Sequence, residues 1–141
     1  MFGVFALVTA ALFTGAAVYV SWAEQPARLG LDDSAMLAQW KPSYDRGLQM
    51  QASLAVIGFV LGTLEAIVTE RWIWFAGALA LVANWPFTLF VIMPVNKKLK
   101  ATPIELAGPQ TRALVERWGT LHGIRSALGA LSVGLFLWAS I

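Results

Sequence analysis

The 141 residues of this chain are enough for one domain, and 58% of them are hydrophobic while 13% are charged. An ordinary soluble domain is about 25% charged, so the composition favours a lipid bilayer over an aqueous core. The net charge of +2 is too small to indicate a nucleic-acid partner. With no cysteine and one histidine, disulfides, thiolate sites and multi-histidine metal clusters within one chain are excluded, and we expect no metal site.

The first apolar segment covers residues 1–23 and carries no charged side chain. A bilayer-spanning helix takes about 20 predominantly apolar residues, so the segment predicts a first span over residues 2–22. A cleaved signal peptide is the alternative. The segment lacks a basic start and a clear small-residue cleavage site, and we therefore expect a retained helix.

The first long loop is polar and covers residues 24–46. Within it, Asp32 and Asp33 precede a run that predicts a short amphipathic helix with an acidic N-cap. Pro42 is expected to end this helix, because the residue before a proline is disfavoured in helical angles. A helix connection of this length is often functional.

Two further spans are predicted over residues 48–68 and 72–95. Glu65 interrupts the first of them and is expected at headgroup level on the outer side, too far from Arg125 for an ion pair. The other span carries no charge, but its prolines are expected to bend it.

The last span is predicted over residues 118–139, and its start is inferred from length. The charge-free part, residues 126–141, has only 16 residues. Crossing about 30 Å at about 1.5 Å per residue takes roughly 20 residues. The span must therefore begin near His122 or earlier, which draws His122 and Arg125 to membrane depth or to its rim.

The four spans indicate one transmembrane domain over residues 1–141, an all-α up-and-down four-helix bundle. The two long loops, residues 24–46 and 97–117, hold eight of the ten Lys and Arg residues, and the short connection holds one. The positive-inside rule then places the long loops in the cytoplasm and both termini outside an inner or plasma membrane. Glycines four apart, such as Gly58 and Gly62, suit close helix contacts.

The candidate site centres on His122, the only histidine, and on Arg125. At helical spacing Trp118, His122 and Arg125 share one face. A histidine can act as a base near neutral pH, and an arginine can stabilise an oxyanion. The alternative is that both are interfacial residues, with Arg125 reaching the headgroups. Ionisable groups inside spans are, however, usually paired and functional.

Further polar and aromatic side chains fall at the same cytoplasmic end of the predicted bundle. Each alone could be a helix cap or an interface anchor, but together they indicate a pocket for an aromatic or amphipathic small molecule. With the two central residues, the set comprises Gln25, Trp40, Tyr44, Gln49, Gln51, Asn96, Trp118, His122 and Arg125. Trp72, Trp74 and Trp85 are assigned to the outer belt and the core of the third span, without chemistry.

Four motifs carry a family resemblance: Glu24-Gln25-Pro26-Ala27, Trp40-x-Pro42-x-Tyr44, Pro94-Val95-Asn96-x-x-Leu99 and Arg117-Trp118-x-x-Leu121-His122-x-x-Arg125. In their order and spacing, over nearly the whole chain, the sequence resembles the small four-span anthrone oxygenase-like family. The last motif is the most specific. The resemblance implies a helical membrane protein that oxidises anthrones to anthraquinones with O2, without a bound metal or flavin.

On this resemblance, His122 would be the base that removes a proton from the central methylene of the anthrone. Arg125 and Asn96 would hold the resulting oxyanion, and aromatic side chains would stack on the ring system. The predicted substrate contacts are Trp118, Trp40, Tyr44, Gln25, Gln49 and Gln51. The enolate can pass one electron to O2 directly, so no cofactor is implied. The expected partners are a hydrophobic aromatic molecule, O2 and membrane lipid, and a homo-oligomer stays open.

Two other function classes stay open. A non-catalytic binding module for a quinone or lipid-like molecule would bind its ligand saturably and take up no O2. A structural subunit of a larger membrane complex would co-purify with its partners in a fixed ratio. Oxygen uptake with emodin anthrone separates the enzyme from the binding module.

Overall fold

Four long helices make up most of the chain, and a computed structural model describes all residues 1–141. They are α1 (Phe2–Leu29), α2 (Asp33–Thr69), α3 (Trp72–Ala101) and α4 (Pro109–Ser140). Each is long and apolar enough to cross a membrane, and the chain contains no strand. The predicted all-α architecture is therefore confirmed, and the protein is an integral membrane four-helix bundle.

Short connections between the helices set the up-and-down order. Asp32 begins α2, where its side chain accepts a hydrogen bond from the Ala35 backbone nitrogen at 2.9 Å. Glu70 ends α2 in the left-handed conformation (φ 54°), and α3 begins two residues later. The α3–α4 connection holds one short 3₁₀ turn, Ile104–Leu106. Connections this short place consecutive helices side by side and antiparallel.

Pro42 does not end a helix, so the predicted separate amphipathic helix and the long loop around it are wrong. The residue lies inside α2, and residues 33–46 form the first part of that helix. A proline in a helix interior costs about 3 kcal/mol through the lost hydrogen bond and the ring clash. Trp40 and Tyr44, on either side of Pro42, are both buried in the core and offset this cost.

Each helix packs against two neighbours, α1 against α2, α2 against α3, α3 against α4, and α4 against α1. Small residues permit the close approach that lipid-embedded helices need. A Cβ atom added to Gly62 would lie 2.8 Å from the Phe136 ring, and one added to Gly77 would lie 2.6 Å from it. Phe136 of α4 thus fills the space that two glycines leave open.

Two apolar clusters divide the core along the bundle. The small-residue cluster contains Ala6, Ala10, Phe13, Ala17, Ala55, Trp74, Ala78, Leu81, Phe136 and Ala139. The aromatic cluster contains Met36, Leu37, Trp40, Tyr44, Ile92, Val95, Leu99, Val115 and Trp118. Along α2, α3 and α4, the residues between these clusters include buried polar side chains. We call them the polar layer: Gln51, Asn84, Thr88, His122 and Arg125.

Candidate functional site

His122 lies in the polar layer with 3% of its surface exposed. Its ring stacks on Trp118 with 4.9 Å between the ring centres, which confirms that the two residues share one helix face. The Nδ1 atom lies 3.2 Å from the Ser21 hydroxyl, which lies 3.2 Å from the Ser126 hydroxyl. Ser21 sits on a π-helical turn of α1, Val20–Glu24, and such turns occur frequently at functional sites. The imidazole is thus held by one stacking contact and one polar contact.

Arg125 lies one turn further along α4 and is 6% exposed. Its guanidinium makes no hydrogen bond and no ion pair within the chain, and its Nε atom is buried without a partner. The guanidinium carbon lies 5.7 Å from the centre of the Phe13 ring. An unpaired charge in an apolar interior is strongly unfavourable, so a buried arginine normally has a partner. The vacant hydrogen-bonding capacity suits an anionic or strongly polar ligand.

Two cavities meet at Arg125. The small cavity has a volume of about 20 Å³, and its walls include Tyr44, Trp118 and His122. A volume of that size holds about one water molecule. The large cavity, about 670 Å³, lies between α2 and α3, and its size falls within the range of roughly 300–1,000 Å³ of small-molecule sites. Arg125 and Gln51 line both cavities.

The predicted aromatic contacts form a tight stack beside the small cavity. Trp40 lies parallel to Tyr44 at 4.8 Å and edge-on to Trp118 at 5.8 Å between ring centres. The Asn96 side-chain amide donates a hydrogen bond to the Tyr44 hydroxyl at 2.9 Å. Trp40 and Asn96 line neither cavity, so in this arrangement they contact other side chains of the stack.

Two of the three predicted glutamines, Gln49 and Gln51, line the large cavity, and the third, Gln25, does not. Gln51 makes no hydrogen bond within the chain, and its Oε1 atom is buried without a partner. Gln49 is exposed and lines the large cavity. Gln25 belongs to a separate network, where its amide nitrogen donates to the Val115 backbone carbonyl at 2.9 Å.

Arg28 is at the centre of that network, which we call the Arg28 network, and sequence reasoning missed it. It is 2% exposed and donates hydrogen bonds to Glu24, Gln25, Gln39 and Ser43. Its guanidinium also lies over the Trp118 ring at 5.3 Å. The signal was present, because Glu24 and Arg28 are four residues apart and such pairs meet on one helix face.

Asn84 and Thr88 of α3 were also missed as site residues. Both line the large cavity, both are buried, and each has an oxygen atom without a partner. Thr88 begins a second π-helical turn, Thr88–Ile92. Trp85, to which no chemistry was assigned, also lines this cavity. The sequence signal was the presence of polar residues within a charge-free span, because polar side chains inside the membrane are costly and usually have a role.

Glu65 lies apart from the site, at the other end of the bundle. Its carboxylate accepts a hydrogen bond from the Gly3 backbone nitrogen at 2.9 Å and lies 3.4 Å from the N-terminal amine. The chain brings together no group of three or more His, Cys, Asp or Glu side chains that could hold a metal ion.

Comparison with known proteins adds one finding. No curated protein and no solved structure matches the chain. The sequence profile of a family described as anthrone oxygenase matches residues 40–135, about two thirds of the chain. The matched region includes His122, Arg125 and every residue that lines the large cavity, while Gln25 and Arg28 precede it. Because the match covers more than half of its length, the protein belongs to the anthrone oxygenase family.

Proposed function

We propose that this protein is a membrane-embedded oxygenase that uses O2 directly, without a cofactor, to oxidise a hydrophobic polycyclic phenol resembling an anthrone. One observation carries the proposal. Arg125 is buried without a polar partner at the point where the cavity beside His122 meets a cavity of substrate size. Family membership supports an oxygenase-related function at the level of the family.

His122 is the base in this proposal. Its Nδ1–H donates to the Ser21 hydroxyl, which leaves the Nε2 lone pair free to take a proton from the central methylene of the substrate. The electron pair of the broken C–H bond moves into the ring system and places negative charge on the carbonyl oxygen of the central ring. Arg125 stabilises that enolate oxygen, and its effect is large because the guanidinium is buried within the bundle.

The reaction of the enolate with O2 then completes the oxidation without a cofactor. The enolate gives one electron to O2, and the superoxide and the carbon radical combine to form a C–O bond at the former methylene carbon. The protonated His122 returns its proton to the distal oxygen, which gives a hydroperoxide. The O–O bond breaks, the second methylene hydrogen leaves with the distal oxygen as water, and the carbon becomes a carbonyl. One oxygen atom enters the product and the other becomes water.

The ring system lies in the large cavity, because the small cavity holds about one water molecule. Gln51 stands between the two cavities and makes no hydrogen bond, so its side chain can turn aside without losing one. The reacting edge of the substrate then reaches His122 past Arg125. Trp118 keeps the imidazole in place by stacking on it.

In this proposal Trp40, predicted as a substrate contact, and Asn96, predicted to hold the oxyanion, receive different roles. Trp40 is fully buried between two aromatic rings, and Asn96 is bound to the Tyr44 hydroxyl. We therefore assign Trp40 and Asn96 to positioning Tyr44 and Trp118 and not to direct contact with the substrate or its oxyanion. Tyr44 lines the small cavity, so it contacts the reacting edge.

The test is oxygen uptake by the protein in lipid nanodiscs with emodin anthrone, followed together with the absorbance of the anthraquinone product. We expect His122→Ala to lower the enzymatic rate about 10²–10⁴-fold, the usual contribution of a general base. His122→Gln keeps a polar side chain beside Ser21 but removes the basic nitrogen, and we expect a similar loss.

Empty nanodiscs give the spontaneous oxidation rate, which is subtracted from every measurement. Ser140→Ala, at an exposed position near the end of α4, is the control and should keep the full rate. A folded His122→Ala protein that oxidises the anthrone at the wild-type rate would remove His122 from the role of base.

A second candidate is a non-catalytic binding module for a phenol or quinone. The small volume beside His122 favours it, because the imidazole does not open directly onto the large cavity. This alternative predicts saturable binding of emodin anthrone with no O2 uptake above the empty-nanodisc rate.

The proposed orientation places the positively charged ends of the helices in the cytoplasm and both termini outside. The chain has no cysteine, so a single introduced cysteine reports its own side of the membrane. In intact cells, Glu70→Cys should react with a membrane-impermeant maleimide, and Lys98→Cys should react only after lysis. The reverse pattern would invert the topology.

A further inference from the structure

The large cavity carries polar atoms that nothing in the chain binds. Gln51 Oε1, Asn84 Oδ1 and Thr88 Oγ1 are buried and have no hydrogen-bond partner, and all three residues line this cavity. Each residue is at least nine-tenths buried. Buried polar groups are normally hydrogen-bonded, and three exceptions around one cavity require an explanation.

Thr88 and Thr63 differ from most hydroxyls in and at the ends of the helices of this chain, because neither has a hydrogen-bond partner. Seven others donate a hydrogen bond to the backbone carbonyl four residues earlier: Thr9, Thr14, Ser53, Thr69, Thr102, Thr120 and Ser140. That bond is the usual way in which a hydroxyl inside a helix is satisfied. Thr88 makes no such bond. Its hydroxyl is therefore left free at the cavity wall.

The free groups define the chemistry of a ligand. The amide oxygens of Gln51 and Asn84 can only accept hydrogen bonds, the Thr88 hydroxyl can do both, and the Arg125 guanidinium can only donate. A matching molecule presents two or more hydroxyl donors and one anionic or strongly accepting oxygen. The remaining wall is mostly apolar and includes Trp85, which suits flat rings.

We infer that the large cavity binds a flat polyhydroxylated aromatic molecule, whose outward ring hydroxyls bond to Gln51, Asn84 and Thr88 while an oxygen of the ring system meets Arg125. The inference rests on the proposed function for the ring class of the ligand, and it adds the residues that recognise the hydroxyl pattern. A lipid acyl chain is the rival occupant, and it offers no hydrogen-bonding group to these residues.

The probes are 2,6-dihydroxyanthraquinone and unsubstituted 9,10-anthraquinone, neither of which has a methylene to oxidise. Binding to the protein in nanodiscs is measured by equilibrium dialysis, with empty nanodiscs of the same lipid to correct for partition. We expect the wild type to bind the dihydroxy compound about tenfold more tightly or better, as two net hydrogen bonds imply. The double variant Gln51→Met, Thr88→Val should lose this preference.

Neither Gln51 nor Thr88 makes a hydrogen bond in the chain, so the double variant loses no intrachain bond and should fold. Thr63→Val is the matched control, because Thr63 also has a buried free hydroxyl but lines a different cavity, beside Trp72 and Phe75. It should keep the wild-type preference.

Equal binding of the two probes by the wild type, or a preference that survives in the double variant, would overturn the inference. The result is independent of catalysis, since both probes are already oxidised. If the double variant loses the preference and the wild type takes up no O2, the inference is supported and the proposed oxidation fails. Normal O2 uptake by a wild-type protein that binds the two probes equally supports the proposed oxidation and overturns the inference.

Discussion

The two buried arginines of this bundle have opposite surroundings. Arg28 donates four side-chain hydrogen bonds and forms an ion pair with Glu24 at 2.7 Å. Arg125 is buried almost as deeply but has no polar partner. The partners of a buried charge offset the cost of taking it out of water, whereas an unpaired buried charge leaves that cost in place until a ligand supplies a partner. We propose that the difference separates a structural arginine, Arg28, from a functional one, Arg125.

Removing the structural arginine should have the largest effect on stability. Arg28→Met leaves the Glu24 carboxylate, with 20% of its side chain exposed, without its cation. Breaking a buried pair in this way costs about 3–5 kcal/mol, so we expect a much lower free energy of unfolding in detergent. Arg46→Met, at an exposed position of α2, is the control and should change stability by no more than about 0.5 kcal/mol. An Arg28→Met protein as stable as the control would contradict the structural role.

Removing the functional arginine should act on the reaction and not on stability. We expect Arg125→Met to lower the rate of anthrone oxidation about 10²–10³-fold, the usual effect of losing one oxyanion donor. Arg125→Lys keeps a positive charge and should recover part of the rate. A normal rate in Arg125→Met, measured by oxygen uptake, would exclude the guanidinium from the chemistry.

Giving Arg125 an internal partner should make it resemble Arg28. Gln51 lines both cavities with Arg125, so Gln51→Glu places a carboxylate in the cavities that the guanidinium lines. We expect the internal ion pair to compete with the substrate oxygen and to reduce the oxidation rate about tenfold, which corresponds to about 1.4 kcal/mol. Gln51→Met removes the amide without adding a charge and is the matched control. Equal rates in the two variants would indicate that Arg125 does not bind the substrate.

The general architecture could be predicted from the sequence, because hydrophobic length alone identifies four spans. The course of α2 could not be predicted. Pro42 indicates the end of a helix, but the helix continues, because the burial of Trp40 and Tyr44 offsets the cost of the proline. Local proline chemistry and core packing oppose each other there, and only the packed structure shows which prevails.

The candidate site was predicted in part, for a similar reason. Helical spacing places Trp118 and His122 on one face, and their stacking confirms it. The spacing within one helix says nothing about which residues of other helices meet it, so Asn84 and Thr88 were missed. Trp40 stacks on Tyr44 within α2, at a helical spacing of four. Asn96 reaches the Tyr44 hydroxyl from another helix, α3, and that contact cannot be read from spacing within one helix.

The most direct test of the account is the melting temperature of the wild type, Arg125→Met and Arg28→Met, each with and without 2,6-dihydroxyanthraquinone. A ligand that binds the folded state raises the melting temperature. We predict that Arg125→Met is at least as stable as the wild type without ligand and loses the ligand-induced rise, while Arg28→Met melts far lower. An Arg125→Met protein that is destabilised like Arg28→Met and keeps the full rise would contradict the claim that Arg125 is unpaired because it serves a ligand.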